Sequence, residues 1–439
     1  MKQLMKRIQK KVDSAELFRL KSKTIPVNFE VGKLKAIDVS DYEGQAIRVI
    51  NKGKIGFSSA AGNIGSDLFI EKAVATSEFG VQANFEFPNE DCGKLEKNLK
   101  IYDSKIKEKN VSELIRTGEL MVQSVKNYNS ELRCDVSALK HENEIEYLNS
   151  KGFYYSYKKT FLSYSMFVQK VGQKDIFMIY SSLDSGQDNI NSNDLTDEVV
   201  EKIKWGENIV DIESGRMPVI FTPNAAMVLI LPIVSGLNGN AVLKKISPLA
   251  DKKGQNLWQD NISLYSDGTI DFAMGSAPFD DEGIRMRKLP MIEKGVIKNF
   301  YFDLQTAGMA GEESTGNGFR HSIQGAPSPG ISNLVLKEGE VSFLDMIKDI
   351  KEGIIVDQVL GLGQGNILSG AFSNNVQLGF KIENGKIKGR IKNVMIAGNA
   401  IEELKNVAAL GDKAKWVDGK YLLPHIFLKS LSVSTKKKN

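Results

Sequence analysis

Three consecutive carboxylates, Asp280, Asp281 and Glu282, stand in "SAPFDDEG" just ahead of Gly283. Acidic side chains grouped in this way can coordinate a cation or exchange protons. The plainer reading of the run is a polar turn capping a strand pair, because no second acidic cluster stands at a defined spacing from it. Further along, "STGNGFRHS" sets Asn317, Arg320 and His321 in a Gly-flanked loop, a setting suited to contact with a substrate. Asp280, Asp281, Glu282, Asn317, Arg320 and His321 are therefore the candidates for lining a substrate cleft. Asp280, Asp281, Glu282 and His321 are also the groups on which an unfamiliar hydrolytic site could be built.

A hydrolytic zinc needs three nitrogen, sulfur or carboxylate ligands and one open position for water. The histidines are His141, His321 and His425, and none is paired at helical spacing. His141 lies in the charged stretch "LKHENEIEY", which reads as a solvated helix or loop. His425 follows Pro424 in a β-like tail and reads as structural. Cys92 and Cys134 are far apart and form no CxxC, so neither a disulfide framework nor a thiolate zinc site is signalled, and a reducing cytoplasm fits best. No GxSxG elbow supports serine catalysis. "GLGQGN" at 361–366 has the look of a phosphate cradle, but "ILSGAFSNN" after it reads as non-helical, so its glycines are expected in turns or bulges.

The elements that must position these residues suggest an α+β chain of 439 residues. Residues 1–82 read as an N-terminal α/β domain. It begins with an amphipathic surface helix, continues with strands turning at Asn51–Gly53, and holds a helix near Gly65–Phe79. Residues 83–215 read as a middle α/β domain. After a polar connection, Asn110 and Glu113 cap a helix ending near Tyr128; Tyr- and Phe-rich strands follow, then a helix to about Trp205. Residues 216–439 read as a β-rich, barrel-like domain with a helix at about Ser342–Glu352. Within it, "MPVIFTPNAAMVLILPIVSGLNGN" reads as a buried helix that Pro232 should kink or end. Its apolar run is half the length needed to cross a bilayer, so no membrane span is expected. Lys plus Arg total 58 against 54 Asp plus Glu, a balance that carries no nucleic-acid signature.

The motifs gain meaning from their order. "SAPFDDEG", "IEKGVIKNFYFDLQTA", "STGNGFR", "GIIVDQVLGLGQGNILSGAFS", "FKIENGKIKGRIKNVMIAGN" and "LKNVAALG" together resemble the C-terminal domain of the TldD/PmbA family, and the likeness extends upstream to residues 14–80. The resemblance implies a cytoplasmic peptidase system of bacteria and archaea, many of whose members are labelled modulators of DNA gyrase. It also implies two branches: TldD-type subunits with an HExxxH helix and a later cysteine binding a catalytic metal, and TldE (PmbA) subunits without them. Set against that helix, Ile230, Leu231 and Ser235 stand where the first His, the Glu and the second His would be. In addition, Ala371 stands where the family often has a carboxylate.

The resemblance thus points to the TldE branch and to no metal of its own, zinc being expected only in a TldD-type partner. The expected partners are a TldD-like subunit in a heterodimer, or a second copy of this chain, enclosing a chamber that receives unfolded or extended peptides; neither nucleic acid nor membrane is expected. The alternative is a self-sufficient homodimer that binds peptides or another ligand without cleaving them. The charge balance favours an indirect link to gyrase over direct DNA binding.

Overall fold

The structure is a computed structural model that describes residues 1–35, 37–62, 67–89, 98–172 and 175–435. With 23% helix and 42% strand, the chain is α+β. Cys92 lies outside the described residues.

An antiparallel sheet is built from β1 (Ser14–Glu30), β2 (Ser40–Asn51), β3 (Lys54–Ala61), β4 (Arg133–Asn149), β5 (Tyr154–Val171) and β6 (Ile176–Ser185), in the order β3-β2-β1-β4-β5-β6. The β2–β3 hairpin turns at Lys52 and Gly53, both at positive φ, as the Asn51–Gly53 signal implies. β1 pairs with β4 from Glu16↔Asn149 to Phe29↔Val136, so strands of segments 1–82 and 83–215 share one sheet. "LKHENEIEY" is therefore strand, not a helix or loop. His141 is held there by Thr24 Oγ1 and Asn143 Oδ1, each at 2.7 Å, and stacks on Phe161.

Strand alternation gives this sheet two dissimilar faces. On one, Leu17, Ile47 and Val49 pack under α1 (Lys2–Ile8) and α2 (Asp67–Ser77), while Val27, Val136 and Met166 pack under α3 (Val111–Tyr128) and α4 (Ser192–Trp205). α3 opens with the expected capping box, in which Asn110 accepts from the Glu113 amide and Glu113 from that of Asn110. On the other face lie Glu16, Phe18, Arg48, Tyr147 and Tyr155, all buried by the rest of the chain.

The C-terminal part contains β7 (Gly215–Phe221), α5 (Pro223–Gly236), β8 (Leu264–Asp267), β9 (Lys288–Glu293), α6 (Leu304–Ala310), β10 (Leu334–Leu336), α7 (Phe343–Lys348), β11 (Glu352–Leu360), β12 (Ala371–Glu383), β13 (Val394–Asn399), β14 (Val407–Val417) and β15 (Tyr421–Thr435). Pairing runs β7-β11-β12-β13-β15 and returns to β7, closing a five-stranded barrel. α5 is apolar all round, and it packs against Val219, Phe221, Ile354 and Val356. Ile220 and Ile355 point the other way, into the core shared with α3 and α4. Pro223 sits in the first turn of α5, where its missing N–H is not needed, and the helix runs on through Pro232 to Gly236 instead of ending there. Among the described residues, no helix is long and apolar enough to cross a membrane.

A buried ion cluster ties α4 to the barrel. Lys202 reaches Asp357 at 2.9 Å and Glu198 at 2.8 Å, and Lys415 of β14 also meets Glu198. Burial alone would raise the Glu198 carboxyl, but Lys202 and Lys415 outweigh it and hold the group at about 2. Nearby, burial depresses His425 to about 4, so its ring is neutral in the fold. A depressed imidazole contributes stability that is complete above its unfolded value of about 6.5 and is lost as pH falls toward 4. The urea midpoint of His425→Gln should accordingly vary less between pH 6.5 and 4 than that of the unaltered chain. Asp357→Asn leaves the buried Lys202 ammonium with Glu198 alone and should cost about 3 kcal/mol, whereas breaking the exposed Lys348–Asp345 pair should leave the midpoint of the same urea titration essentially unmoved.

Candidate functional site

The Asp280–Glu282 loop is docked on the second face of the first sheet. Glu282 accepts from Arg48 Nη1 at 2.6 Å and from the Leu304 amide at 2.7 Å; Arg48 Nη2 also bonds Glu16 at 3.0 Å. Glu16 in turn takes Arg320 Nη2 at 2.7 Å and the Tyr147 hydroxyl at 3.0 Å. Arg48 lies over the rings of Phe85 and Phe87, and Arg320 over Phe18. Burial drives Glu282 toward its neutral form while Arg48 draws it the other way. The guanidinium cannot give up its proton, and both Glu282 oxygens face donors, so the geometry is that of an ionised pair.

The remaining candidates divide according to what they touch. Asp280 accepts three amides, from Glu282, Ile284 and Gly318, at 2.9–3.0 Å, and so shapes the loop from within. Asn317 is buried, donating to Ser266 Oγ and the Gly330 carbonyl. Gly318 leaves the space that Glu282 occupies, since a Cβ there would stand 2.2 Å from Oε2. Phe279 stacks on Tyr155, which stacks on Tyr147, giving the loop an aromatic bed. Asp280, Glu282 and Asn317 thus hold the loops in place and do not line the cleft described next.

Asp281, Arg320 and His321 border open space, although the Arg320 side chain itself is buried. They line a cleft of about 600 Å³ together with Leu231 and Ser235 of α5, Tyr157 and Lys159 of β5, and Lys420. Ile230 is not among them; it is 1% exposed and packs into the core. The face of α5 turned to the cleft is Met227, Leu231, Val234 and Ser235, a spacing of one helical face. A second cavity, of about 470 Å³, shares Leu231 and is lined by Gly361–Gln364 and Ala371–Asn375. Gly361, Gly363 and Gly365 all have positive φ, as turn glycines do, and a short 3₁₀ turn, Ile367–Ser369, follows them.

The donors on the α5 wall do not fit a zinc ion. An aliphatic side chain offers no lone pair and a neutral serine hydroxyl is a poor ligand, whereas zinc takes imidazole, thiolate or carboxylate. Among the described residues, no three His, Cys, Asp or Glu side chains gather in a metal-holding group. Cys134 is buried in the α3–α4 core, with its thiol pushed up to about 12 by burial.

Sequence reading missed Lys159, Tyr157 and Lys420. The signal for Lys159 was present: in "GFYYSYKKTF" it follows Tyr155 and Tyr157 at a period of two, which places a cation on the half-buried face of a strand. Its Nζ donates to the Met274 and Ser276 carbonyls, and burial followed by the charge of Lys420 lowers it to about 7. Arg48→Met, which leaves Glu16 and Glu282 without their shared cation, should destabilise the chain by about 3–5 kcal/mol, and adding Glu282→Gln should recover part of that loss in a double-mutant cycle read by urea unfolding.

Comparison with known proteins agrees with this geometry. The family model of the PmbA/TldA metallopeptidase C-terminal domain matches residues 214–435, and that of PmbA/TldA metallopeptidase domain 1 matches residues 15–77. The metalloprotease TldD homolog of Haemophilus influenzae is 30% identical over 219 residues, 50% of this chain and 45% of that protein, so this chain spans under half of that relative's length. An uncharacterized protein of Methanocaldococcus jannaschii is 25% identical over 445 residues, covering 98% of both chains. In fold, TldE from Thermococcus kodakarensis is similar at a TM-score of 0.92 and 23% identity, with 99% of each chain covered. With the first sheet, the docked acidic loop and the barrel all in place, this chain belongs to the PmbA/TldD metallopeptidase family.

Proposed function

We propose that this chain is a TldE-like subunit of a cytoplasmic TldD/TldE-type metallopeptidase, one that holds unfolded or precursor peptides without binding the catalytic metal. The observation that carries this reading is the α5 wall, where Leu231 and Ser235 face the cleft at positions that the family resemblance sets against metal-motif residues. A TldD-like partner would supply the zinc, whose chemistry when bound is to activate water and polarise the scissile carbonyl. This chain's own residues would shape and exclude solvent from the peptide's path. An extended peptide satisfies its main chain through hydrogen bonds to backbone groups, which gives affinity with little sequence preference. The gyrase label of the family fits an indirect route, through proteolysis of another factor.

Purification from the native cell, followed by mass spectrometry and metal analysis, should recover a TldD-like chain carrying zinc and peptidase activity. The isolated chain should show neither. Zinc-dependent peptide turnover by the pure chain would contradict the proposal. Recovery of a homodimer that binds peptide but cleaves none would favour the non-proteolytic alternative.

A further inference from the structure

The cleft has a charge character that its acidic loop conceals. Asp281 is the one acidic side chain lining it among the described residues, and Oδ2 of that carboxylate is taken by the Arg320 amide at 2.7 Å. Against it stand Lys159 and Lys420, with His321 beside them; Arg320 also borders the cleft, its guanidinium paired with Glu16. Arg320 is 2% exposed and bonds Glu16 and the Gly325 carbonyl, yet its buried Nε–H has no hydrogen-bond partner among the described residues. Among the described residues, Lys159 donates only to carbonyl oxygens, at Ser276 (2.8 Å) and Met274; Asp281 acts on it through space without a direct hydrogen bond, and burial and Lys420 outweigh that attraction. Buried donors without partners are costly, and cations held without counter-ions attract an anion of the right size.

We propose that this cleft anchors a carboxylate of the bound peptide, through Lys159 with Lys420 and Arg320 around it. The inference rests on the peptide-binding reading above and adds to it which chemical group of the peptide is recognised. A carboxylate can come from the peptide's C-terminus or from an acidic side chain, and both offer two oxygens to such donors.

Protonation gives the anchor a signature. Lys159 faces Lys420 and Asp281 across the cleft, with Tyr157 on its own strand, His141 on the neighbouring strand, and Arg320 and His321 on the opposite loop. Burial and the charge of Lys420 lower the Lys159 amine to about 7, which disfavours its charged form, and an arriving carboxylate favours that form. Anion binding is then linked to proton uptake, and affinity falls as pH rises through this range.

The test uses the full chain and three acetylated six-residue peptides of otherwise neutral residues: one with a free C-terminus, one C-terminally amidated, and one amidated with an internal glutamate. Calorimetric titration at pH 7 should show a carboxylate-bearing peptide binding at least about 10-fold more tightly than the neutral amide, the scale of one charge-assisted contact. Which of the two gains identifies the source of the carboxylate. The advantage should shrink from pH 7 to pH 9, with proton uptake detected in buffers of different ionisation heat, and should collapse in Lys159→Met and weaken in the exposed Lys420→Met. Equal affinity for all three peptides in the unaltered chain would overturn the anchor while leaving peptide binding intact. Binding of none would overturn both.

Discussion

A single buried guanidinium sets the geometry from which the rest follows. Arg48, on the second strand of the first sheet, cannot lose its charge, and once buried it must be met by anions on rigid elements. Glu16 supplies one from the adjacent strand, and Glu282 the other from a loop more than two hundred positions away in sequence. Satisfying Arg48 therefore fixes the docking of the Asp280–Glu282 loop on the sheet. Glu282 in turn takes the amide of Leu304, so the start of α6 is placed by the same contact. The loop carries Asp281 into the cleft, and Arg320, held by the second oxygen of Glu16, carries His321 with it.

The cleft is consequently a product of several separate pieces of chain. β5 of the first sheet gives Tyr157 and Lys159, α5 gives Leu231 and Ser235, and the loops around 281 and 320 give the charged rim. The Lys202–Asp357–Glu198 cluster makes a second join between α4 and the barrel, so the two halves of the chain are fixed at more than one point. A cleft between elements joined by buried ions keeps its shape, because any opening would expose paired charges without their partners. Such a wall can hold a ligand in a defined register without contributing reactive groups of its own.

Many features of this architecture were legible from residue order. The Asn110–Glu113 capping box, the Lys52–Gly53 hairpin, the Tyr- and Phe-rich strands and the apolar α5 run each follow from local chemistry acting within a few positions. The failures were local signals overruled by distant partners. The charged "LKHENEIEY" is strand because β1 and β5 pair on either side of it. Of the two outcomes expected at Pro232, a kink or an end, the end does not occur, because the helix is enclosed by core on nearly all sides and loses more by unwinding than by forgoing one hydrogen bond. Within the acidic run, read first as a polar turn, Asp280 and Glu282 are taken up by amides and by Arg48, and Asp281 lines the cleft.

What the sequence determined by itself was the inventory: three histidines with no helical pairing, apolar and hydroxyl side chains on α5, and an order of motifs that identified the family. These are properties of composition and spacing, and folding does not alter them. Only the tertiary structure decided which groups share a space. Glu16, Arg48, Glu282 and Arg320 are scattered along the chain, and their meeting depends on sheet faces and loop docking that no local window contains. The character of Lys159 was settled in the same way: a lysine in a strand is ordinary until burial, carbonyl neighbours and the charge of Lys420 make its ammonium costly, and those neighbours come from elsewhere in the fold.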